Sequence, residues 1–505
     1  MKNLFKTVAL ITFFSFLTRA LGFLFRIILS RVVGAEGVGL YQVASSVFMV
    51  LLTVISSGIP LVVSRSCAHF SLGKKYEEKS FVTLAVVFTL ILSILLSVAV
   101  IIAKPVFEKT FENKDCYKIL VALLPSLIFS SAYCVLRGVM WGKGNYLALC
   151  ISESYEQIVR IVVALFLINS SFSALSNALG LAWSMSIACV FSCIMVLLLY
   201  FFYGGKMGRA KMKFLSPLIK QSSPISFMRV AGSLMSPLIA IIVPSRLTGL
   251  GYTSSQALSL FGVAVGMTMP ILFVPTTIIG SLSTALVPDI SKAMAQNDIN
   301  HIEKRIKNSL FFSMFVSCLF LPCFLSLGEL SGEFLYNNVL SGTLLSSSSW
   351  VLIPLGLTNI TSSILNSLGL EHKSFINFVL GAVAMFFALW FLPQIVGINA
   401  LIWAMGINYI IVSLLNLRLL KKHTKVKLNL LKPFLKMLLI SIPCSALTSF
   451  VSSLLTFVLP DFLNLLLSGL LCVGSFIILC NVFEVINLEL IFVGFKDKID
   501  RKSVV

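Results

Sequence analysis

Stretches of about 20 apolar residues recur along the whole chain, each long enough to cross a ~30 Å hydrocarbon core as a helix. No other feature constrains the fold as tightly. They run over 8–30, 41–64, 80–103, 119–141, 151–168, 177–203 and 222–246. Seven more follow at 257–287, 308–328, 350–369, 374–393, 397–419, 433–458 and 462–483. Inside lipid a backbone has no water to bond, so such segments satisfy their own amides as helices. The expectation is an all-α polytopic membrane protein with 14 transmembrane helices. Of the 505 residues, 58% are hydrophobic and 11% charged, which excludes a soluble globular domain. The stretch at 151–168 is the least regular, because Glu153, Glu156 and Arg160 interrupt it.

The formal net charge of +20 would suit a nucleic-acid partner, but its placement argues against one. Basic residues gather in loops on one side: Lys74, Lys75 and Lys79; Lys206, Arg209, Lys211, Lys213 and Lys220; Lys304, Arg305 and Lys307; Lys421, Lys422, Lys425, Lys427 and Lys432. The opposite loops are nearly bare of them, except 104–118, where Glu108, Glu112 and Asp115 are interleaved with lysines. The positive-inside rule therefore puts both termini in the cytoplasm, and an even helix count agrees. The first apolar stretch carries two arginines and no convincing cleavage site, so it reads as a retained helix.

Those arginines are Arg19 and Arg26. The first lies in Thr18-Arg19-Ala20-Leu21-Gly22, and Arg229 repeats its setting in Met228-Arg229-Val230-Ala231-Gly232. An arginine at the centre of a membrane helix costs about 2.5–3.5 kcal/mol on insertion scales, and as a rule faces a cavity or a partner. Seven residues apart, Arg19 and Arg26 fall within about 20° of one another on one helix face, with Gly22 between them. Such a stripe suits an extended anion such as a pyrophosphate, whose oxygens match the guanidinium fork. The competing reading has Arg26 snorkelling to the interface and Arg19 paired structurally. Arg65 and Arg137 complete the candidate substrate-binding set, with interfacial anchoring as their alternative. Glu156 and Arg160 stand at i, i+4, as either a structural ion pair or a gating element.

Enzyme chemistry finds no support. His69, His301, His372 and His423 do not cluster, and the eleven cysteines include no CxxC pair, so neither a metal site nor a disulfide framework is expected. No nucleophile elbow, catalytic acidic pair or phosphate-cradling glycine loop is present. The chain is expected to be a non-enzyme without a cofactor, any coupling ion being left open.

An internal repeat organises the bundle. Ile59-Pro60 followed by Ser64-Arg65 recurs as Val287-Pro288 followed by Ser291-Lys292. Leu124-Pro125 before Leu136-Arg137-Gly138 recurs as Ile353-Pro354 before Leu365-Asn366-Ser367. The prolines are 228 and 229 residues apart. Six helices return the chain to the same side, so the lobes are parallel repeats about an axis along the membrane normal. The expected division is an N-terminal six-helix lobe (1–205), a basic cytoplasmic linker (206–221) and a C-terminal six-helix lobe (222–420). A second basic linker (421–432), two further helices (433–485) and a cytoplasmic tail (486–505) follow. Pro224, Pro237, Pro244, Pro270 and Pro275, with Gly262, Gly266 and Gly280, give the second lobe sites that can bend.

The motifs extend beyond the repeat, through Gly34-Ala35-Glu36-Gly37-Val38-Gly39-Leu40-Tyr41-Gln42, Gly58-Ile59-Pro60 and Glu156-Gln157-Ile158-Val159-Arg160. Ala257-Leu258-Ser259-Leu260-Phe261-Gly262, Met269-Pro270, Pro275 and Ser283-Thr284-Ala285-Leu286-Val287-Pro288 continue them. The set resembles the multidrug/oligosaccharidyl-lipid/polysaccharide (MOP) flippase superfamily, and within it the stage V sporulation protein B group, related to the bacterial lipid II flippases. The resemblance implies a multi-pass protein of the bacterial cell membrane. It would flip an undecaprenyl-pyrophosphate-linked saccharide from inner to outer leaflet by alternating access, the cargo being a peptidoglycan precursor for spore cortex. Implied partners are the lipid-linked oligosaccharide, membrane lipids and cell-wall synthesis enzymes, with a monomeric protein and no nucleic acid. Lipid II flippases typically carry an Asp after the second arginine of helix 1 and an arginine in helix 8. Here those places hold Ile27 and the uncharged run Gly266-Met267-Thr268-Met269. The competing functions are a capsule or exopolysaccharide repeat-unit flippase, a cation-coupled multidrug antiporter of the same fold, and a membrane-embedded enzyme polymerising or ligating lipid-linked sugars.

Overall fold

The computed structural model of the chain describes residues 2–70, 75–296, 298–424 and 430–485, and every regular element among them is a helix. The chain divides into two compact units, Met1–Gly266 and Met267–Val505.

In the first unit the helices are α1 (Lys2–Ser56), α2 (Gly58–Phe70), α3 (Lys75–Ile102), α4 (Lys104–Thr110), α5 (Asp115–Gly142), α6 (Tyr146–Leu167) and α7 (Ala174–Phe202). Then come α8 (Leu215–Ser233), α9 (Met235–Thr248) and α10 (Ser254–Phe261). At 1.5 Å per residue α1 would be roughly 80 Å long, far more than one crossing needs. It is broken at Gly34, whose φ of 75° and ψ of 169° lie outside helical space. A glycine takes that conformation without a Cβ clash. The connection expected between 30 and 41 is thus a one-residue break with helix on both sides.

Twelve segments are long and apolar enough to cross a membrane, against the fourteen expected. Two places account for the difference. Phe16–Ala68 counts once although Gly34 interrupts it, and α6 holds Glu153, Glu156 and Arg160. All-helical, multi-span architecture is established; a count of fourteen is not.

The first unit is cored by Ile59, Val62 and Val63 of α2, Val135, Leu136 and Val139 of α5, and Val196 and Tyr200 of α7. Small residues let its backbones approach, as membrane helices require when lipid offers no hydrophobic contrast. Gly39 lies against the Leu258 carbonyl and Gly262, where any Cβ would collide. At Gly58, the backbone N–H donates to Ser226 Oγ at 3.2 Å, and Ser57 Oγ donates to the same oxygen at 3.2 Å. These contacts hold α8 and α10 to α1 and α2. The first compact unit consequently runs past the basic segment 206–221, where the expected lobes divide. That segment is itself fastened to α3 and α7. Gly208 N donates to Thr83 Oγ1 at 3.0 Å, Tyr200 OH to the Lys206 carbonyl at 3.0 Å, and Lys213 pairs with Glu77 at 2.9 Å.

A π-helical turn, Gly262–Thr268, leads into the second unit. Its helices are α11 (Met269–Leu272), α12 (Val274–Ala295), α13 (Ile299–Tyr336), α14 (Val339–Ser348), α15 (Leu352–Ser367) and α16 (Glu371–Phe391). The chain ends with α17 (Pro393–Val396), α18 (Asn399–Thr424), α19 (Leu431–Leu455) and α20 (Asp461–Val482). One core joins Ile279 and Ile290 of α12 to Leu310 of α13, Ile364 of α15 and Leu420 of α18. A second joins Cys318 of α13 to Met437 and Cys444 of α19 and to Phe476 and Cys480 of α20. The cysteines are free thiols, mostly buried in such seams. Lys74, Lys425, Lys427 and the tail 486–505 lie outside the described residues.

Candidate anion-binding site

Helix α1 packs on α6 along Thr18, Gly22, Phe25 and Leu29, the spacing of a single helical face. Thr18 Oγ1 stands 3.4 Å from Ser154 Oγ. A Cβ built on Gly22 would lie 3.6 Å from Gln157 Nε2. Phe25 and Leu29 pack with Ala164 of α6, with Ile168 just past its end and with Leu181 of α7. Arg19 and Arg26 bracket Gly22 at the edge of this seam, and both are exposed. Neither meets a carboxylate, and Arg229, also exposed, meets none among the described residues. Helix α8, which carries Arg229, packs against α1. The structure thus places these three unpaired guanidinium groups on two adjoining helices.

The other candidates separate from them. Arg137, half-buried on α5, is ion-paired with Glu153 of α6, so its charge is already neutralised. Arg65 is exposed midway along α2. The i, i+4 pair expected between Glu156 and Arg160 does not close. Arg160 instead donates through Nη2 to Gln157 Oε1, three residues back on α6, and through Nη1 to Met185 Sδ of α7 at 3.2 Å. The shorter reach to Gln157 and the facing sulfur of α7 draw the guanidinium off Glu156. Arg160 and Arg137 still act electrostatically on Glu156, and Arg160 and Arg26 both act on Tyr41.

Sequence reasoning passed over Gln157. It is 5% exposed, its Oε1 is taken by Arg160, and its Nε2 has no acceptor. Arg160 Nε is likewise buried without one. A buried donor left unmade costs about 1–3 kcal/mol, so two on neighbouring turns of one helix call for a physical reason. The available signal was an amide side chain in the middle of an apolar helix. No group of three or more His, Cys, Asp or Glu side chains among the described residues could hold a metal ion.

Chemically, the arrangement can bind an anion: two exposed guanidinium forks flank a glycine notch into which an amide donor faces. The chain is similar to several known proteins. A family model described as "Polysaccharide biosynthesis protein" matches residues 4–294. Stage V sporulation protein B of Bacillus subtilis (strain 168) is 25% identical over 489 residues, covering 93% of each chain. Among solved structures, lipid II flippase MurJ in an inward closed conformation matches with a TM-score of 0.73 and 18% identity, over 94% of this chain and 98% of that one. An inward-facing multidrug resistance MATE family transporter of the MOP superfamily matches with a TM-score of 0.66 and 14% identity, over 81% of this chain and 94% of that one.

Proposed function

The chain belongs to the polysaccharide biosynthesis protein family of MOP-superfamily flippases, and from that premise we propose that it carries an anionic, undecaprenyl-pyrophosphate-linked saccharide from the inner to the outer leaflet by alternating access. One observation carries the reading: Arg19, Arg26 and Arg229 lie in membrane helices, on adjoining elements, with no carboxylate among the described residues to neutralise them. Within a bilayer such charges persist when a cavity or a counter-ion receives them, and the cargo supplies that counter-ion. Its pyrophosphate presents paired oxygens to the planar guanidinium forks, a geometry that a simple point charge matches less well.

Similarity to stage V sporulation protein B supports a peptidoglycan precursor for spore cortex as the cargo. The loop charges support cytoplasmic termini in a bacterial cell membrane, and the proline repeat supports two parallel six-helix lobes followed by two helices. The protein works as a monomer, handing cargo to cell-wall synthesis enzymes. The drug-antiporter alternative depends on membrane-embedded carboxylates exchanging ions for a cationic drug. Glu153 is occupied by Arg137, which leaves Glu156 alone among arginines and favours the anionic cargo.

The test is the appearance of lipid-linked precursor on the outer leaflet in cells expressing Arg19→Ala/Arg26→Ala/Arg229→Ala at the wild-type level. Flipping should be abolished. Wild-type flipping by this variant would overturn the cationic-cavity reading.

A further inference from the structure

Gln157 and Arg160, on neighbouring turns of α6, each leave a buried nitrogen without an acceptor. The orientation of the Gln157 amide is set by its surroundings. Because Oε1 accepts from Arg160 Nη2, Nε2 must turn the other way, toward α1. What it meets there is Gly22, the one position of the seam with no side chain, 3.6 Å from a Cβ built on that residue. Gly22 offers no acceptor, since its own carbonyl belongs to the helix ladder of α1. On either side of this notch stand Arg19 and Arg26, exposed and free of carboxylates. One buried amide donor thus faces a glycine that offers it no acceptor, with an exposed arginine on either side.

Resting on the function proposed above, we infer that Gln157, held by Arg160, is a specificity-determining residue that donates to the phosphoryl oxygens of the cargo at the Gly22 notch. Phosphoryl oxygens fit because they bring several acceptors and a negative charge together, and they bind both guanidinium and amide N–H groups. A neutral donor is the right choice at this position. Arg160 is already hydrogen-bonded to Gln157, and a second cation in place of the amide would be repelled by it. Arg160 plays the positioning role, fixing which end of the amide faces the notch.

The experiment measures binding of farnesyl pyrophosphate to the full-length protein in nanodiscs, together with the melting temperature. Gln157→Met keeps the side-chain length and removes the donor. Gly22→Ser fills the notch and brings a hydroxyl oxygen within reach of Nε2, without changing charge. Both should weaken binding by about tenfold, and Gly22→Ser should hold or raise the melting temperature, because it satisfies the orphan donor from within. Inorganic pyrophosphate should compete for the wild-type site, and phosphatidylglycerol should not. Wild-type affinity in Gly22→Ser would overturn the inference even if Gln157→Met fails to fold, and so would equal competition by phosphatidylglycerol. If Arg19→Ala/Arg26→Ala/Arg229→Ala loses binding while both notch variants keep it, the inference falls and the cationic cavity stands. If the triple variant itself binds normally, the proposed function falls.

Discussion

Arg19 and Arg229 share an Arg-x-x-Gly frame, yet the two copies sit in different surroundings. On α1 the glycine faces Gln157 Nε2 across a packed seam, and a second arginine follows one heptad on. On α8 a Cβ added to Gly232 would meet nothing within 4 Å, and no second arginine follows at the matching place. Both occurrences of the frame keep the charge; packing against α6 gives only the first a shaped set of donors. Charge alone attracts an anion, whereas a fork, a notch and an oriented amide discriminate among anions.

The largest expected effect tests this difference directly. Arg26→Ala should weaken binding of a lipid pyrophosphate by on the order of 10- to 100-fold, the range for losing a hydrogen bond to a charged group. Arg26→Lys should recover only part of it, because a point charge replaces the planar fork. Arg229→Lys should bind nearly as wild type. Equal tolerance of lysine at both positions, read by titration in nanodiscs, would erase the distinction between the copies.

A smaller effect separates the glycines. Gly232→Ser adds a side chain to open space and should leave affinity within about twofold of wild type, on a scale where Gly22→Ser weakens it about tenfold. Matching losses at both would mean that helix flexibility, and not the notch, sets recognition.

The smallest effect concerns Glu156. Because it forms no ion pair with Arg160, Glu156→Gln should leave expression intact. Removing a negative charge that acts on the site's cations should strengthen anion binding slightly, by less than about fivefold at the effective dielectric of a partly exposed pair. A severe loss of flipping with affinity retained would instead assign Glu156 to gating.

Much of the helical layout was legible in the apolar runs, including α6 despite its three charges. The interruptions were not, although proline marked them. Pro60, Pro275 and Pro354 fall within the first three residues of α2, α12 and α15, where the missing N–H is tolerated and the fixed φ starts a helix. Pro125, Pro322 and Pro443 lie inside continuous helices, so proline alone does not separate the two outcomes. Of the site, Arg19, Arg26 and Arg229 could be singled out because a charge in an apolar run is costly wherever it folds. Gln157 showed only as an amide in an apolar run, since its meaning depends on Gly22, far away in the chain.

That the chain is all-helical with many membrane-spanning segments, and which loops are basic, followed from the sequence by itself, because each depends on composition over one or two dozen neighbouring residues. Tertiary structure alone decided that Glu153 neutralises Arg137, that Arg160 turns to Gln157 and Met185, and that α8 and α10 belong with the first compact unit. An ion pair, an oriented amide or a glycine seam needs groups from separate helices within about 3–4 Å of one another. No local pattern in the chain encodes that meeting; it arises only when the helices pack.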